Sequence, residues 1–403
     1  MLNILENYIK IVDDKVIAGI LKKSRRLHKK HILNLNSTFI GGGVAEILES
    51  AVPLMNNIGI NAGWRVLHGK PGFYNITKKF HNGLQGEEVK FFKREKKLYL
   101  QVNEEFSSYT HINHDYVIIH DPQPLPMAYY KKQNQPWIWR CHIDLSDPNK
   151  KLWEFIKPYI FHYNLVIVSM DQYKKQDLPI DQRVISPAID PLSQKNCHIS
   201  KQIVNKYVTD FDIPMDKPII TQVSRMDKWK DPIGVLRIYE KVRQKIDCRL
   251  LYCFNLASDD PEGIKIYKEL ETEAKDLIED GSIIMISRDD KLMVNAIQNI
   301  SDVIIQKSTK EGFCLCVTES LWKSKPVVAS NIGGIPSQII NGETGYLVDP
   351  YDYDGFADRI IELLKNKKLC KEFGKKSKEY VRKNFLMTRL IDNYLDLMLE
   401  LEA

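Results

Sequence analysis

Short apolar runs rich in valine and isoleucine alternate along this chain with longer segments whose apolar residues recur at helical spacing. One series of runs precedes a polar, weakly patterned stretch from Pro191 to Pro214, and a second series follows it. Such runs between helical segments are typical of βαβ units with parallel sheets. The pattern predicts two doubly wound α/β domains, residues 1–205 and 206–384, with a helix at 385–403 that packs back on the first.

Polar residues follow many of the predicted strands. In open α/β sheets, ligands bind beyond the carboxyl ends of the strands, so these positions are where we expect chemistry. The segments in question are Gly41–Gly43, His120–Asp121, Arg225–Lys230, Ser258–Gly263 and Lys307–Glu319.

Composition narrows the class of protein. The chain has 403 residues and a net charge of +6, which is mild for this length. The basic cluster Leu21–His31 reads as a solvated helix face, and we find no aromatic-interleaved basic motif, so no nucleic-acid partner is expected. The seven cysteines lack zinc-site spacing, no window of 18 uncharged apolar residues occurs, and the start does not resemble a signal peptide. These features predict a cytoplasmic protein with reduced thiols and no membrane span.

Two glutamates stand on either side of a predicted strand-to-helix junction, in the stretch STKEGFCLCVTES. Gly312 frees the loop backbone to present N–H groups. A carboxylate at Glu319 could accept both hydroxyls of a ribose, and Glu311 could hold a sugar hydroxyl. Taken singly, each acid has a plainer interpretation, because Glu319 also suits the helix dipole and Glu311 could simply be exposed.

A cationic loop leaves another predicted strand at VSRMDKWKDP, where Arg225 and Lys230 lie five positions apart. Two such cations can clamp a diphosphate, arginine by its planar fork and lysine as a point charge. The alternative is weak surface pairing with Asp227 or Asp231.

Two further segments carry weaker signals. In GGGVAE, at residues 41–46, consecutive glycines open a helix whose exposed N–H groups attract anions, although a plain tight turn fits equally well. In HDPQP, His120 and Asp121 stand at a strand end before two prolines. Their donors and acceptors suit a ligand rich in hydroxyls, and a capping aspartate before a proline turn is the alternative.

Taken in order, GGGVAEIL, SRMDKWKDP, EGFCLCVTES and NIGGIPSQIINGETGYLV resemble the retaining, nucleotide-sugar-dependent glycosyltransferases of the GT-B fold. Glu311 and Glu319 match that family's pair of acids with seven residues between them, and Arg225 and Lys230 match its diphosphate clamp. Longer strings such as FHNGLQG, HDPQPLP, WIWRCHIDLS and SPAIDPLSQKN are similar to trehalose synthases of the glycosyltransferring type, which are related to retaining trehalose phosphorylases. The resemblance extends from about Leu33 to Leu347.

The resemblance implies two Rossmann-like domains that face each other across a cleft, the first on the acceptor side and the second binding the nucleotide sugar. It implies reversible transfer of glucose from UDP-, ADP- or GDP-glucose to the anomeric hydroxyl of glucose, giving α,α-trehalose with retention. No cofactor or metal is expected, since two cations neutralise the diphosphate; the partners are these small molecules, with a homodimer possible. The alternative is a retaining trehalose phosphorylase that uses inorganic phosphate, against which Glu319 argues because phosphate has no ribose.

Residue roles carried over from the family follow the matched motifs. The resemblance assigns catalysis to Arg225, Lys230, Glu311 and Asp121. It assigns donor binding to Gly42, Gly43, Arg225, Lys230, Glu311, Gly312, Phe313, Cys314, Leu315 and Glu319. It assigns sugar or acceptor binding to His120, Asp121 and Trp64. Cys314 departs from the family, where a glycine is usual, and we expect it to affect donor preference or rate without changing the reaction class.

Overall fold

A computed structural model describes residues 4–131, 134–255 and 261–402. The chain forms two compact units, one made of Met1–Ala188 with Phe385–Ala403 and the other of Ile189–Asn384. Each unit contains one six-stranded sheet with helices around it. The predicted α/β fold class, with two doubly wound parallel sheets, is thereby confirmed.

The boundary between the units differs from the one predicted. Residues 189–205, which the sequence pattern assigned to the first domain, group with the second unit. The reason lies in hydrogen bonds, because the side-chain amide of Asn295 donates to the carbonyl oxygens of Gln194 at 2.9 Å and of Cys197 at 2.8 Å. The polar stretch is therefore tied to the second unit by its backbone.

Strands and helices are numbered along the chain. The strands are β1 His31–Asn36, β2 Asn61–Val66, β3 Tyr116–His120, β4 Trp137–Arg140, β5 Leu165–Val168, β6 Asp181–Val184, β7 Ile219–Arg225, β8 Arg249–Asn255, β9 Ile283–Ser287, β10 Val303–Gln306, β11 Val327–Ser330 and β12 Tyr346–Val348. The α-helices are α1 Asp14–Arg26, α2 Gly43–Asn57, α3 Pro71–Leu84, α4 Lys93–Tyr109, α5 Met127–Tyr130, α6 Lys150–Ile160, α7 Lys201–Asp210, α8 Pro232–Arg243, α9 Pro261–Glu273, α10 Lys275–Glu279, α11 Lys291–Ile300, α12 Leu315–Trp322, α13 Tyr353–Lys365, α14 Lys367–Asn384 and α15 Met387–Leu401.

Both sheets are parallel, and each has one point where the strand order reverses. The first sheet runs β2-β1-β3-β4-β5-β6, so its reversal falls between β1 and β3. The second runs β12-β11-β10-β7-β8-β9, which is the strand order of a dinucleotide-binding fold, with its reversal between β7 and β10. Ligands of doubly wound sheets bind in the crevice at this reversal, beyond the carboxyl ends of the two strands.

The central strands are buried on both faces. All residues of β3, β5, β10 and β11 are buried, which explains their continuous Val- and Ile-rich sequences. The edge strand β2 reads NAGWRV and is only partly buried. Because it lacks an apolar run, the hydrophobic pattern did not predict it.

The last helix belongs to the first unit. Lys23 of α1 forms ion pairs with Asp392 and Asp396 of α15, both at 2.7 Å. From the same helix, the guanidinium of Arg389 donates to the carbonyl oxygens of Ser186 and Pro187, each at 2.8 Å. The chain thus returns to its first unit after completing the second.

Candidate functional site

Predicted site residues gather at the strand reversals of the two sheets. In the second unit, Arg225 is the last residue of β7, while Glu311 lies in the loop between β10 and α12. In the first unit, Gly42 and Gly43 follow β1, and Asp121 follows β3. These are the places where an open sheet exposes loops to a ligand.

The contact between Lys230 and Glu311 is the centre of the second unit's site. Lys230 ends a short 3-10 turn, Lys228–Lys230, after β7, and its ammonium contacts Oε2 of Glu311 across a sequence separation of 81 residues. Burial lowers the pKa of Lys230, but its proximity to the Cys314 sulfur and the Glu311 carboxylate more than offsets this and raises the pKa overall. Lys230 therefore remains a cation at neutral pH.

Arg225 is more open to water than Lys230. Its side chain is 63% exposed, and its guanidinium lies 3.4 Å from a carboxylate oxygen of Asp227. Asp227 in turn accepts a hydrogen bond from the backbone N–H of Trp229 at 2.8 Å. The surface pairing considered as an alternative from the sequence is thus present for Arg225, and an ion pair this exposed is weak enough to exchange for an anionic ligand.

The loop from Gly312 to Leu315 packs tightly on the segment that follows β11. A Cβ on Gly334 would lie 2.6 Å from the carbonyl oxygen of Gly312 and 2.7 Å from Cα of Phe313, so only glycine fits there. The side-chain amide of Gln338 donates to the carbonyl oxygen of Phe313. These contacts fix the loop's backbone immediately before α12 begins at Leu315.

Cys314, where the resemblance leads us to expect a glycine, has an unfavourable backbone conformation. Its φ of 76° lies in the left-handed region, which non-glycine residues adopt at a cost of about 1–2 kcal/mol. The thiol is buried, with its sulfur 4.0 Å from Nζ of Lys230, and burial raises its pKa well above the ordinary value. A protonated buried thiol is a packing group and a poor nucleophile.

Glu319 is deeply buried within α12. It is 1% exposed, and its Oε1 lies 3.1 Å from the ammonium of Lys195, while Oε2 accepts a hydrogen bond from Gln298 at 3.5 Å. Lys323, one turn further along, donates to the side-chain oxygen of Asn196 at 3.0 Å, and burial lowers the pKa of Lys323 to about 8. The carboxylate predicted to hold ribose is therefore paired within the protein.

Two stacked imidazoles lie at the carboxyl edge of the first sheet. His120 and His142 have ring centroids 5.3 Å apart and an interplanar angle of 16°. Nδ1 of His120 lies 3.0 Å from Nε2 of His142, and Nε2 of His120 lies 3.2 Å from the side-chain oxygen of Asn34. Because an amide oxygen only accepts, this network assigns the His120 proton to Nε2 and makes Nδ1 the acceptor from His142.

Both imidazoles are kept neutral by their surroundings. Burial, together with the charge of Arg140, lowers the pKa of His120 to about 3 and the pKa of His142 well below its ordinary value. His120 is 2% exposed, whereas His142 is only partly buried. Of the two rings, His142 is the more accessible to solvent.

Asp121 occupies a strained position at the end of β3. Its φ is 62°, and its Oδ1 accepts a hydrogen bond from the backbone N–H of His142 at 2.8 Å. Desolvation raises the pKa of Asp121 to about 6, against the opposing effects of that hydrogen bond and of Arg140. Strained residues of this kind cluster at functional sites, where the surrounding structure holds them in place.

The start of α2 and the side chain of Trp64 complete the first unit's group. Gly41 and Gly42 have φ of 74° and 80°, and α2 begins at Gly43 with all three glycines exposed. Nε1 of Trp64 donates to the side-chain oxygen of Asn36 at 2.9 Å, and Phe39 packs edge-on to its ring at 4.8 Å. By contrast, the tryptophans of β4 are buried in the core.

The sequence did not predict His142, Asn34 or Lys195 as site residues. His142 lies two positions after β4 ends, and Asn34 interrupts the apolar run of β1. These positions gave a usable signal, since a polar residue inside or just beyond a buried strand needs a partner. Lys195 lies in a stretch without pattern and gave no such signal.

Some sequence features lie outside these sites. Of the predicted segment Ser258–Gly263, residues 258–260 fall outside the described ranges. Within the described ranges, no group of three or more His, Cys, Asp or Glu residues is arranged to hold a metal ion. None of the helices among those residues has both the length and the apolar character needed to cross a membrane.

Two protein-family models match the chain. Residues 34–175 match the model described as trehalose synthase, N-terminal domain, and residues 205–380 match the one described as glycosyl transferases group 1. The first match lies within the first unit and the second within the other.

Known proteins align with almost the whole length of this chain. The chain is 43% identical over 401 residues to a trehalose synthase of Thermococcus litoralis, an alignment that spans 98% of this chain and 96% of that protein. It is 25% identical to a trehalose phosphorylase of Pleurotus pulmonarius. That alignment spans 94% of this chain but 58% of the phosphorylase.

Among solved structures, one similar fold is a UDP-forming α,α-trehalose-phosphate synthase from Burkholderia xenovorans. The TM-score is 0.75 with 14% identity, over 93% of this chain and 100% of that one. At this identity the likeness shows the fold alone, which is GT-B.

Proposed function

Because this chain belongs to the trehalose synthase family of glycosyltransferases, we propose that it transfers glucose from a nucleoside-diphosphate glucose to the anomeric hydroxyl of glucose, forming α,α-trehalose with retention. The donor is UDP-, ADP- or GDP-glucose, and the reaction is reversible. The second unit binds the donor, and the first binds the acceptor glucose.

One observation carries the proposal. Lys230 and Glu311 meet beyond the ends of β7 and β10, at the strand reversal of a sheet with the dinucleotide-binding order. A cation beside a carboxylate at this position suits a sugar diphosphate, because the cation can take the phosphate while the carboxylate accepts sugar hydroxyls.

The chemical step breaks the bond between the donor C1 and the diphosphate oxygen. The oxygen of the acceptor's anomeric hydroxyl forms the new bond to C1 on the same face, and its proton passes to the departing diphosphate. Negative charge grows on the diphosphate in the transition state, where Lys230 and Arg225 stabilise it. With two cations in this role, we propose that the reaction requires no metal.

The Lys230–Glu311 contact also suggests how the donor is recognised. When the diphosphate approaches Lys230, the ammonium exchanges part of its contact with Glu311 for phosphate oxygens, which leaves the carboxylate available to glucosyl hydroxyls. The backbone of Gly312, Phe313, Cys314 and Leu315 orients the same sugar. The tight packing of this loop on Gly334 supports that role, because preorganised groups need no rearrangement during the reaction.

In the first unit, Asp121, His142 and Trp64 are the groups we assign to the acceptor sugar. The partly exposed His142 offers a ring nitrogen, Asp121 accepts from hydroxyls, and Trp64 offers an aromatic face. His120 is buried and orients His142 through their hydrogen bond, so we propose a supporting role in place of the direct contact expected from the sequence. The exposed start of α2 at Gly42 and Gly43 suits an anionic group.

Ribose recognition requires a change at Glu319. Its carboxylate is paired with Lys195, so nucleotide binding must replace that contact by ribose hydroxyls. Lys195 is 14% exposed and lies outside any helix or strand, which makes it the more movable partner.

The test is product formation without added metal. The protein is incubated with glucose and each of UDP-, ADP- and GDP-glucose in the presence of a chelator, and the products are followed by NMR. We expect α,α-trehalose and free nucleoside diphosphate in equal amounts from at least one donor. If no donor gives trehalose, the proposed function is wrong.

A second candidate is a retaining trehalose phosphorylase, favoured by the internal pairing of Glu319 with Lys195. If that pair never opens, no ribose site exists, and inorganic phosphate takes the place of the nucleotide. This function predicts that trehalose and phosphate yield glucose 1-phosphate and glucose without any nucleotide. Inertness toward phosphate, together with activity on a nucleotide sugar, would exclude it.

A further inference from the structure

Lys307, the residue after β10, carries a wholly buried ammonium group. Its side chain is 0% exposed, and its Nζ contacts Oδ2 of Asp231. The ring of Tyr353 lies 4.8 Å from the same nitrogen, and the ring of Tyr351 lies 5.7 Å from it. Burying an ammonium group costs free energy, and replacing a buried ion pair by apolar groups is often neutral or stabilising. The Lys307–Asp231 pair is therefore weak evidence that these residues serve to stabilise the fold.

Asp231, the partner of Lys307, follows Lys230 directly and sets the backbone at that point. It adopts a left-handed conformation with φ 45° and ψ 61°, and its Oδ1 accepts a hydrogen bond from the N–H of Gly234 at 2.9 Å, which caps α8. Its other carboxylate oxygen is the one that Lys307 contacts. The carboxylate therefore joins the turn after Lys230 both to α8 and to the end of β10.

A second link joins the same two segments on the other side of Lys230. The backbone N–H of Thr309 donates to the carbonyl oxygen of Trp229 at 2.8 Å. The carbonyl oxygen of Lys230 itself accepts from the side-chain amide of Gln222 at 2.8 Å. Lys230 is thus held between Trp229 and Asp231, each of which is tied to a residue just after β10.

The ion pair packs closely against the backbone of α8 at Gly234. A Cβ on Gly234 would lie 2.4 Å from Oδ2 of Asp231 and 2.8 Å from Nζ of Lys307. Any larger residue there would displace one partner, so the close approach of the pair to α8 depends on glycine at this position. Lys307 therefore fixes the turn from which the side chain of Lys230 extends.

We propose that Lys307 is a positioning residue: through Asp231, its ammonium fixes the turn that holds the Lys230 side chain at Glu311. The structural part of this proposal rests on the contacts described above. The expected effect of Lys307 on the reaction rate rests on the proposed function. Lys307 touches neither substrate nor reacting atoms in this role.

The geometric part is tested by chemical labelling, which needs no enzyme activity. Trace acetic anhydride acetylates lysines, and mass spectrometry of peptides gives the rate at Lys230 relative to other lysines. In the Lys307→Met variant we expect Lys230 to label about tenfold faster, because its ammonium is released from Glu311 more often. The matched control is Lys325→Met, which removes a partly buried lysine of the second unit, one that donates to the carbonyl oxygen of Asn299 at 2.6 Å. This control should leave the Lys230 rate unchanged.

Asp231→Asn covers the case in which Lys307→Met does not fold. Asparagine caps helices well and tolerates the left-handed conformation, so this variant keeps the turn and removes only the charge that Lys307 contacts. We expect the same faster labelling of Lys230. The positioning role is wrong if Lys230 is labelled at the wild-type rate in Lys307→Met and Asp231→Asn, whichever of them fold. It is also wrong if Lys230 is labelled as fast in Lys325→Met as in those variants.

Kinetics then separate positioning from a general loss of structure. Lys307→Met should lower kcat about 100-fold, as small misplacements of catalytic groups do. In a Lys230→Ala background, the same change should lower kcat by less than about twofold, because the effect passes through Lys230. An equal loss in both backgrounds would overturn the proposal. If the wild-type protein makes no trehalose, the proposed function fails, and the labelling still decides whether Lys307 positions Lys230.

Discussion

Lys230 and Glu311 keep 15% and 13% of their side-chain surfaces exposed, so water still reaches both charges. A pair in this setting adds little to folding stability, because desolvation offsets much of the attraction. We propose that its position at a strand reversal serves a ligand that engages both groups. The neighbouring ammonium of Lys307, which is fully buried, serves to orient and does not contact the ligand.

His120 gives a pH dependence whose sign follows from its environment. Its pKa is about 3 in the folded protein, against an ordinary value of 6.5, so below pH 6.5 the unfolded chain takes up a proton that the folded chain does not. Stability therefore falls as pH decreases through this window, by about 2 kcal/mol between pH 6.5 and 5 for this group. Urea unfolding at both pH values should show a loss smaller by that amount in His120→Asn. Equal losses in the two proteins would contradict the buried, neutral imidazole.

Cys314 provides a test of backbone strain. Cys314→Gly relieves a left-handed conformation worth about 1–2 kcal/mol, which roughly cancels the loss of a buried thiol and the entropy cost of glycine. We expect its free energy of unfolding to stay within about 1 kcal/mol of wild type.

The matched control for this change is Cys253→Gly, which removes a buried thiol from the ordinary backbone of β8. It should lose about 2 kcal/mol, because no strain is relieved there. Similar losses for the two variants in thermal or urea unfolding would show that the φ of Cys314 carries no strain.

At the scale of elements, the site is built from loops that leave neighbouring parallel strands. The strands themselves were predictable, because β3, β5, β10 and β11 are continuous apolar runs, and most of the candidate residues were found by looking just beyond such runs. Pairing between loops was not predictable. The sequence predicted that Lys230 and Glu311 lie at one edge of the sheet. Only the fold shows that these two side chains touch and that Lys195 forms an ion pair with Glu319. Such contacts depend on backbone paths that no local pattern encodes.

The packing of the segment after β11 on the donor loop predicts a large effect from a small change. In Gly334→Ala, the new methyl group would meet the backbone of Gly312 and Phe313, which cannot move aside as a flexible side chain would. We expect about 2–3 kcal/mol of destabilisation and a lower kcat, since the displaced loop is the one proposed to orient the glucosyl group.

Gly19→Ala is the matched control for Gly334→Ala. Gly19 lies inside α1, and a Cβ added there would have no atom within 4 Å, so alanine should stabilise the protein by about 0.5–1 kcal/mol. Thermal unfolding of both variants gives the comparison. A neutral Gly334→Ala would show that the two loops are not held in contact.

At the scale of the whole molecule, the chain forms two units whose sheets have different strand orders, and it ends in the first of them. The alternation of strands and helices was enough to predict two doubly wound domains. The boundary was placed too late, because residues 189–205 carry no apolar pattern and are held by side chains from distant parts of the second unit. The edge strand β2 was missed because its partly buried sequence lacks an apolar run.

The return of the chain makes a prediction about truncation. Ending the protein at Asn384 removes α15 and with it the buried residues Leu390, Ile391, Leu395 and Met398. At about 1.5–3 kcal/mol for each buried side chain, the loss approaches the whole stability of a typical domain. Hydrogen exchange should therefore rise throughout α1 and β1 and stay low in β7 and β8. Unchanged protection in α1 would contradict the packing of α15 on the first unit.

The most direct test of the account is the rate of trehalose formation from a nucleoside-diphosphate glucose in Lys230→Ala, compared with Lys228→Ala. Lys228 lies in the same short turn, 37% exposed and 4.8 Å from the ring of Trp229, and we give it no part in the reaction. If Lys230 stabilises the leaving diphosphate, its replacement lowers kcat about 100- to 1,000-fold with a much smaller effect on trehalose affinity, and Lys228→Ala changes kcat by less than about twofold. Equal rates in the two variants, or a Lys230→Ala loss confined to affinity, would contradict the account.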